Sequence, residues 1–459
     1  MISAADVDEL TGRVRGPVLI PDTEGFAQEV TGFNLAGVAR PNVVVGATGT
    51  EDVVAAMGWA SAHRCPVGVQ ATGHGADQAM EGGLLITTSR MQDLDVDPVH
   101  RTARVGAGVR WRKVLEATLP HGLIGLNGSS TDVGVVGYTL GGGLPILGRT
   151  FGWAADRILA AELVTPDGAV HRLDAGHDPE LFGLLRGGTG NLGIVTSLTF
   201  ELVPLDGFYG GGIFYPGADA HQVLTAFSSW APALPPHANT SVALLRLPDL
   251  PMVPDPMRGQ FVVHLRFAWA GDPDQGAQAL APMREVSQPV LDTAAPMDYG
   301  EVDRIDMDPT EPVPLFHTGG FLADFGTDAV QDLLAVAGPG QDFPAVAVEV
   351  VQMGAAFSHP GQVPDAVHGR RADCFLGVVA LLLPPVAESV PAAVEALLQA
   401  MAPHAPGGVF VNHYGFPDTE AERARAWPAE AYERLVQAKT ALDPQNLLRF
   451  QHVVGQGHR

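Results

Sequence analysis

The sequence predicts an α+β protein, and three observations carry that prediction. A strand–helix–strand pattern near the N-terminus fits a parallel βαβ unit. Short strands dominate residues 95–205, and residues 206–405 mix apolar strands with longer helices, the pattern of an antiparallel sheet covered on one face. The chain has 459 residues, too many for one core, so two or more domains are expected.

Residues 1–40 read as an opening segment with a short helix and turns. Val43 to Gly46 is a strand. Thr50 to Ala62 is a helix: Thr50 can cap it, Glu51 and Asp52 suit its N-terminus, and Val53, Met57 and Ala60 share one face. Pro66 to Val69 and Leu84 to Thr87 are strands again. From Asp95 to Leu205 short strands surround a helix at Trp111 to Leu119 and a Gly141-Gly142-Gly143 turn. Asp178-Pro179-Glu180 opens a short helix through Leu185, and Gly193 to Val203 is a long alternating strand. After Pro204 and Leu205 the composition shifts to Pro and Ala. Gln260 to Ala268, Val346 to Met353 and Cys374 to Leu383 read as strands there. No internal repeat or low-complexity linker interrupts the chain.

Composition narrows the function. Hydrophobic residues make up 46% and charged residues 17%, with 55 Gly and 37 Pro, which describes a loop-rich globular protein rather than a disordered one. A formal net charge of −24 opposes binding to nucleic acid or an anionic membrane, because that affinity comes from Lys and Arg. It leaves room for a small anionic cofactor held by backbone N–H groups. The two cysteines, Cys65 and Cys374, have no metal spacing and imply no disulfide framework, and Cys65 beside Pro66 reads as a buried thiol. The N-terminus lacks a basic patch followed by an apolar run, and the longest apolar run, Phe375 to Leu383, is far short of the roughly 20 residues a spanning helix requires. A cytoplasmic protein is expected.

The most informative stretch is Val69-Gln70-Ala71-Thr72-Gly73-His74-Gly75, a strand that feeds a loop of small residues holding one histidine. Small residues let backbone N–H groups close on a phosphate, and the histidine places a nucleophile beside it. Alone, the loop reads more readily as a plain turn. Further along stand Glu81-Gly82-Gly83-Leu84-Leu85-Ile86, Gly128-Ser129-Ser130-Thr131-Asp132-Val133-Gly134-Val135-Val136-Gly137-Tyr138, Gly141-Gly142-Gly143, Arg186-Gly187-Gly188-Thr189-Gly190-Asn191-Leu192-Gly193-Ile194-Val195 and, near the end, Leu442-Asp443-Pro444-Gln445-Asn446-Leu447. This ordered series resembles the vanillyl-alcohol oxidase / p-cresol methylhydroxylase superfamily, within it the berberine-bridge-enzyme-like branch. The resemblance is strong over residues 41–204 and clear over residues 408–454. It implies an FAD-binding domain of two α/β subdomains at residues 1–205, a substrate-binding domain with an antiparallel sheet covered by helices at 206–407, and a C-terminal segment, 408–459, returning to the FAD-binding domain.

One motif misleads. Gly188-Thr189-Gly190-Asn191-Leu192-Gly193 fits G-x-G-x-x-G, but it follows a helix and opens a strand, the reverse of a nicotinamide-binding Rossmann unit. The resemblance instead lays Gly193, Ile194 and Val195 against the FAD nucleotide. It assigns His74 to a covalent bond with the flavin 8α-methyl carbon, within a loop from Ala71 to Ala76 that departs from the family at Gln70, Ala71 and Thr72. The departure is tolerable unless one of these needs a positive φ. A second tether through cysteine is absent, because Ser130, beside Ser129, stands at that place. Val133 borders the flavin C4a in the resemblance, and a small residue there favours access of O₂. Gly128, Gly134, Gly137, Gly141, Gly142 and Gly143 would let backbone approach the cofactor. Asn412 and Asn446 match asparagines near the active site, and the family tyrosine two residues before Asn412 is Phe410 here.

A flavin oxidation also needs a proton acceptor. Glu349 sits in the apolar strand from Val346 to Met353, where a carboxylate is costly unless solvated or paired. By period two, Glu349, Val351 and Met353 share a face. Glu349 alternatively faces water or pairs with Arg370 or Arg371. Tyr138 and Tyr414 are further candidates with Asn412 beside them, His413 is expected to face away, and Asp324 completes the set.

The expected function is FAD-dependent oxidation, with O₂ as acceptor, of an alcohol, sugar, amine or other secondary metabolite in a bacterium. A carbohydrate oxidase is disfavoured by an aromatic content of 7%. A flavin-binding scaffold without net oxidation, or a relic without FAD, are the alternatives of other classes.

Overall fold

The computed structural model describes residues 2–76, 79–249, 253, 255–361, 363–415, 417, 419–450 and 452–455; Met1 of the opening segment and residues 456–459 of the C-terminal segment lie outside them. Three larger sheets and one two-stranded sheet organise these residues, and a large cavity lies among the three.

The first sheet holds β1 (Val18–Leu19), β2 (Val43–Gly46), β3 (Val67–Gln70) and β4 (Leu84–Thr87), with β4 between β2 and β3 and parallel to both. Helix α1 (Thr50–His63) connects β2 to β3 and buries Val53, Ala56, Met57, Trp59 and Ala60. Its N-cap is Gly49 rather than Thr50. The Thr50 hydroxyl instead donates to Glu162 in the second sheet, and Asp52 accepts from the Thr48 amide.

The second sheet has the order β5 (Leu94–Asp97), β6 (Thr102–Gly106), β9 (Ile194–Glu201), β7 (Ile158–Val164) and β8 (Val170–Asp174). Strand β9 does not alternate as expected. It is central, flanked by β6 and β7, so both faces of Ile194 to Leu198 are buried. The strand also ends at Glu201; Val203–Pro204 pairs separately with Leu123–Ile124. Helices α2 (Trp111–Thr118), α3 (Val135–Leu140) and α4 (Pro179–Leu185) belong to this part, with Asp178 capping α4.

The third sheet is antiparallel. From the short edge strand Leu291–Asp292 it runs β10 (Phe208–Pro216), which also pairs with Ala295–Pro296, then β12 (Phe261–Ala270), β11 (Ala238–Arg246), β14 (Ala347–Gln352), β15 (Cys374–Leu381) and β13 (Leu315–Leu322). Three of these strands were not legible in the sequence. Glycines interrupt β10 and β13, polar residues open β11, and both lower apparent strand propensity. Helices α5 (Ala220–Trp230), α6 (Thr327–Ala337) and α7 (Val390–Met401) cover one face, packing Phe227, Val330, Leu333 and Leu397 on Val242, Leu244, Leu265, Val348, Val350 and Val378. Alternate residues on these strands face the cavity.

The C-terminal residues rejoin the first two sheets. Val409, Phe410, Ala426, Trp427, Leu435 and Leu448 share a core with Val67, Leu163 and Leu192, and the Val67 amide donates to the Leu447 carbonyl. Helix α8 (Ala429–Leu442) carries Lys439, whose ammonium is buried on the Asp443 carboxylate at 2.5 Å. Among the described residues, no helix is long and apolar enough to cross a membrane.

Candidate active site

The cavity measures about 1390 Å³, above the roughly 300–1,000 Å³ usual for one small ligand, so it has room for two. One wall is made by loops of the first two sheets and the other by the open face of the third.

Strand β3 delivers the loop from Ala71 to Ala76 to the cavity. Gly73 supplies the positive φ, +72°, so Ala71 and Thr72 keep ordinary torsions and their departure from the family pattern is harmless. A Cβ on Gly73 would also lie 2.6 Å from Gly32 Cα. The Thr72 hydroxyl accepts from the Gly134 amide at 3.4 Å and sits 2.8 Å from His74 Nδ1. The His74 ring stacks on Phe33, centroids 4.1 Å apart, and its buried Nε2 has no hydrogen-bond partner. Burial, aided by Arg110 and His317 against Asp132, pulls the imidazole down to about 4, so its lone pair is available at neutral pH.

Gly128, Ser129, Ser130, Val133, Gly134, Gly137, Tyr138, Gly193, Ile194 and Val195 line the same wall. The stretch from Gly188 to Gly193 does follow α4 and open β9. Four expected cofactor residues stand apart from the cavity, among them Gly143, where a Cβ would lie 2.6 Å from the Tyr138 ring. Gly141 and Gly142 pack on protein: a Cβ on Gly141 would fall 1.8 Å from Asn412 Oδ1, and one on Gly142 would meet Phe410, Val367 and Trp153. Asn446 is a turn residue at φ +49°, its carbonyl accepting from Arg449 Nε. Its neighbours Leu447 and Leu448 are held by the Asp443 carboxylate, so the turn is built for attachment rather than for lining.

The opposite wall follows from strand register. Ser241 lies between Arg266 and Val351, and Ala243 between His264 and Glu349, which puts Arg266 and Glu349 on one face of adjacent rows. Arg266 Nη1 is 2.6 Å from Glu349 Oε1 and 3.0 Å from Asp306 Oδ1. Its Nε donates to Nδ1 of the fully buried His264 at 3.3 Å. Burial opposes the guanidinium charge, but Glu349, Asp306 and Asp308 outweigh it and raise the Arg266 pKa. Asp308, which is exposed, lines the cavity near Asp306. Burial, with Asp308, Glu349 and Asp303 outweighing part of the Arg266 attraction, lifts the Asp306 carboxyl to about 7.

Glu349 therefore pairs with Arg266, not with Arg370, which is committed to Asp156 and Asp365. Tyr138 lines the cavity; burial holds its phenol far above the ordinary range, so it stays protonated, and its hydroxyl has no partner. Asn412 reaches the cavity and donates to the Tyr138 carbonyl at 2.8 Å. Tyr414 does not line it. Residues 411–413 form a 3₁₀ turn, so the period-two reading fails there: Tyr414 turns away to donate to the Glu422 carbonyl, and His413 takes the cavity side. Burial, with His317 adding, pushes His413 down to about 3. Asp324 is not among the lining residues and accepts from the Gly326 amide ahead of α6.

Sequence reasoning missed Arg266, Asp306, Asp308 and His317. Arg266 carried the same signal as Glu349, a charge within an apolar strand. The two aspartates lie in a loop without pattern.

Known proteins match both ends of the chain and its fold. A family model described as FAD binding domain matches residues 41–174, and one described as berberine and berberine like matches residues 409–455. The (R)-6-hydroxynicotine oxidase of Paenarthrobacter nicotinovorans is 26% identical over 96% of each chain. Among solved structures, 6-hydroxy-D-nicotine oxidase from Arthrobacter nicotinovorans shares the fold with a TM-score of 0.83 at 22% identity, covering 96% of this chain and 98% of that one. Xylooligosaccharide oxidase from Myceliophthora thermophila does so with 0.84 at 19%, covering 99% and 100%.

Proposed function

Because the chain is an FAD-linked oxidoreductase of the berberine-bridge-enzyme-like group, we propose that it takes a hydride from a small-molecule alcohol, amine or secondary metabolite to flavin N5, with the FAD tethered once, through His74. The observation that carries this reading is one cavity with a small-residue wall bearing His74 facing a wall bearing Arg266, Glu349 and Asp306.

Three features fit FAD to the first wall. The cavity volume exceeds a single small-ligand site. All the carboxylates among the described lining residues belong to residues 306–349, so none opposes a diphosphate along the loops. The His74 imidazole is neutral, with one nitrogen unengaged. When bound, FAD supplies a two-electron acceptor. The loops Ala71–Ala76, Gly128–Tyr138 and Gly193–Val195 would hold it. In this reading residues 1–205 and 408–459 form the cofactor part, and residues 206–407 the substrate part.

On the second wall Arg266 fixes Glu349 and Asp306, and a carboxyl poised near neutrality suits proton acceptance as the substrate C–H bond breaks. The Tyr138 phenol, kept protonated, offers an O–H to a substrate heteroatom, while Asn412 steadies its backbone. Val133, small and on the cavity surface, leaves a path for O₂. A bacterial, cytoplasmic role in secondary metabolism belongs to the same proposal and rests on composition.

Anaerobic addition of candidate alcohols and amines to the purified yellow protein tests this. Bleaching by a substrate and return of colour on admitting O₂ is the expected result. A colourless protein overturns the reading, and persistent colour across a broad panel favours a flavin-binding scaffold.

A further inference from the structure

The His74 imidazole is fixed from two sides. Phe33 lies parallel to it, centroids 4.1 Å apart and planes 9° apart. The segment carrying Phe33 is stitched to the loop: the Phe33 amide donates to the Thr72 carbonyl at 2.9 Å, and the Asn34 amide to the Gly73 carbonyl at 3.1 Å. Stacking sets the plane of a ring but not which way round it lies, because a half-turn about the Cβ–Cγ bond keeps the same plane. Thr72 removes that freedom. Its Oγ1 is 2.8 Å from Nδ1, where a flipped ring would set a carbon instead. The hydroxyl is itself held, accepting from the amide of Gly134, the N-cap of α3, at 3.4 Å.

The hydrogen bond made at one imidazole nitrogen decides the state of the other. With Nδ1 engaged by Thr72, Nε2 is left, buried and without a hydrogen-bond partner among the described residues. Burial keeps the ring neutral, so one of its nitrogens carries a lone pair. A buried polar atom with nothing to bond calls for an explanation, and here a ligand atom supplies one.

We propose that Thr72 is the positioning residue for the flavin tether, its hydroxyl holding Nδ1 so that the covalent bond forms through Nε2. The proposal rests on the FAD-linked reading above. A hydroxyl suits both ends of the reaction because it can accept and donate. Before bonding it accepts from Nδ1–H, which places the lone pair on Nε2. After bonding Nδ1 has lost its proton, and the same hydroxyl donates to the lone pair left there. The step balances. One C–H bond of the flavin 8α-methyl breaks, and its electron pair passes into the flavin, which is reduced by two electrons. The Nε2 lone pair makes the new C–N bond. The methyl proton and the Nδ1 proton end on the reduced flavin. O₂ then takes both electrons and both protons and leaves as H₂O₂, so the tethered cofactor is oxidised again.

Two readouts test this without turnover. Purified wild-type protein is compared with Thr72→Ser and Thr72→Val by intact mass after the same incubation with FAD in air, total flavin being read from absorbance before denaturation. Wild type and Thr72→Ser are expected to carry one FAD mass on nearly every chain. Thr72→Val keeps the shape but not the hydroxyl, and its covalent fraction is expected to be at least about tenfold lower at equal total flavin. Full tethering of Thr72→Val overturns the proposal, as does a Thr72→Ser no better than the valine variant. The flavin peptide of the wild-type protein gives the second readout. In its NMR spectrum the 8α-methylene protons couple to Cδ2 and Cε1 of an Nε2-linked ring, and to Cγ and Cε1 of an Nδ1-linked one. A bond at Nδ1 overturns the proposal even if the valine variant folds poorly. Wild-type protein that binds flavin and releases all of it on denaturation overturns it as well. A colourless protein at the outset is instead the failure of the FAD reading.

Discussion

The loops at residues 71–76, 128–138 and 193–195 meet the cavity largely with backbone and short side chains, whereas the face of β11, β12 and β14 meets it with ion-paired ones. The difference matches what each wall would handle in the proposed function. A cofactor that never changes can be held by main chain, whose chemistry is the same at every residue. A substrate must be distinguished from its analogues, and directed charges do that, at the expense of burying them. The contrast can be broken by substitution on either side.

The largest effect is expected at His74. His74→Ala should abolish the covalent flavin altogether, so that intact mass drops by one FAD and denaturation yields a colourless pellet, while the native protein still binds the cofactor. Next comes Asp306→Asn, expected to lower kcat/KM by about 10²- to 10⁴-fold with flavin content unchanged, measured by steady-state kinetics. Loss of flavin in that variant would show that the walls are not independent. A smaller effect is expected behind the loop wall. Gly141→Ala drives a Cβ to 1.8 Å from Asn412 Oδ1, and overpacking of this kind costs about 1–3 kcal/mol, seen as a lowered Tm.

The subtlest contrast is in pH. His413 falls from 6.5 to about 3 on folding, so the unfolded chain binds the proton first. The stability it supports is complete above 6.5 and lost as pH falls through about 3. Asp306 rises from 3.8 to about 7, so the folded chain binds the proton first. The stability it supports is complete below 3.8 and lost as pH rises through about 7. Between these limits the slopes oppose each other. His413→Gln should make Tm fall more steeply as pH rises through this window, and Asp306→Asn should make it climb. A melt series at constant ionic strength reads both, and parallel curves would reject the assignments.

The same contrast explains what could be read from the sequence. Loops that approach a ligand with backbone need Gly, Ala, Ser and Thr at consecutive positions, so Gly73-His74-Gly75 and Gly128-Ser129-Ser130 stand out along the chain. The βαβ unit was legible for a related reason, since its contacts are short-range. The charged wall depends on pairing between strands far apart in sequence. Glu349 could be nominated, but its partner Arg266 emerged only when the register placed Ser241 and Ala243 between β12 and β14. Asp306 and Asp308 left no periodic trace. Tyr414 and His413 exchanged sides because a single 3₁₀ turn replaces the strand geometry assumed for them.

Strand β3, which carries His74 at its far end, lies at the edge of its sheet, and its outer side is closed by the Val67 amide on the Leu447 carbonyl. A ribosome makes Leu447 hundreds of residues after Val67. The strand therefore waits for a long stretch of chain before its edge is covered, and the attachment of a flavin proposed at His74 would come only after that stretch is made. A nascent chain stalled short of Leu447 would have every residue of the His74 loop but an unfinished support beneath it.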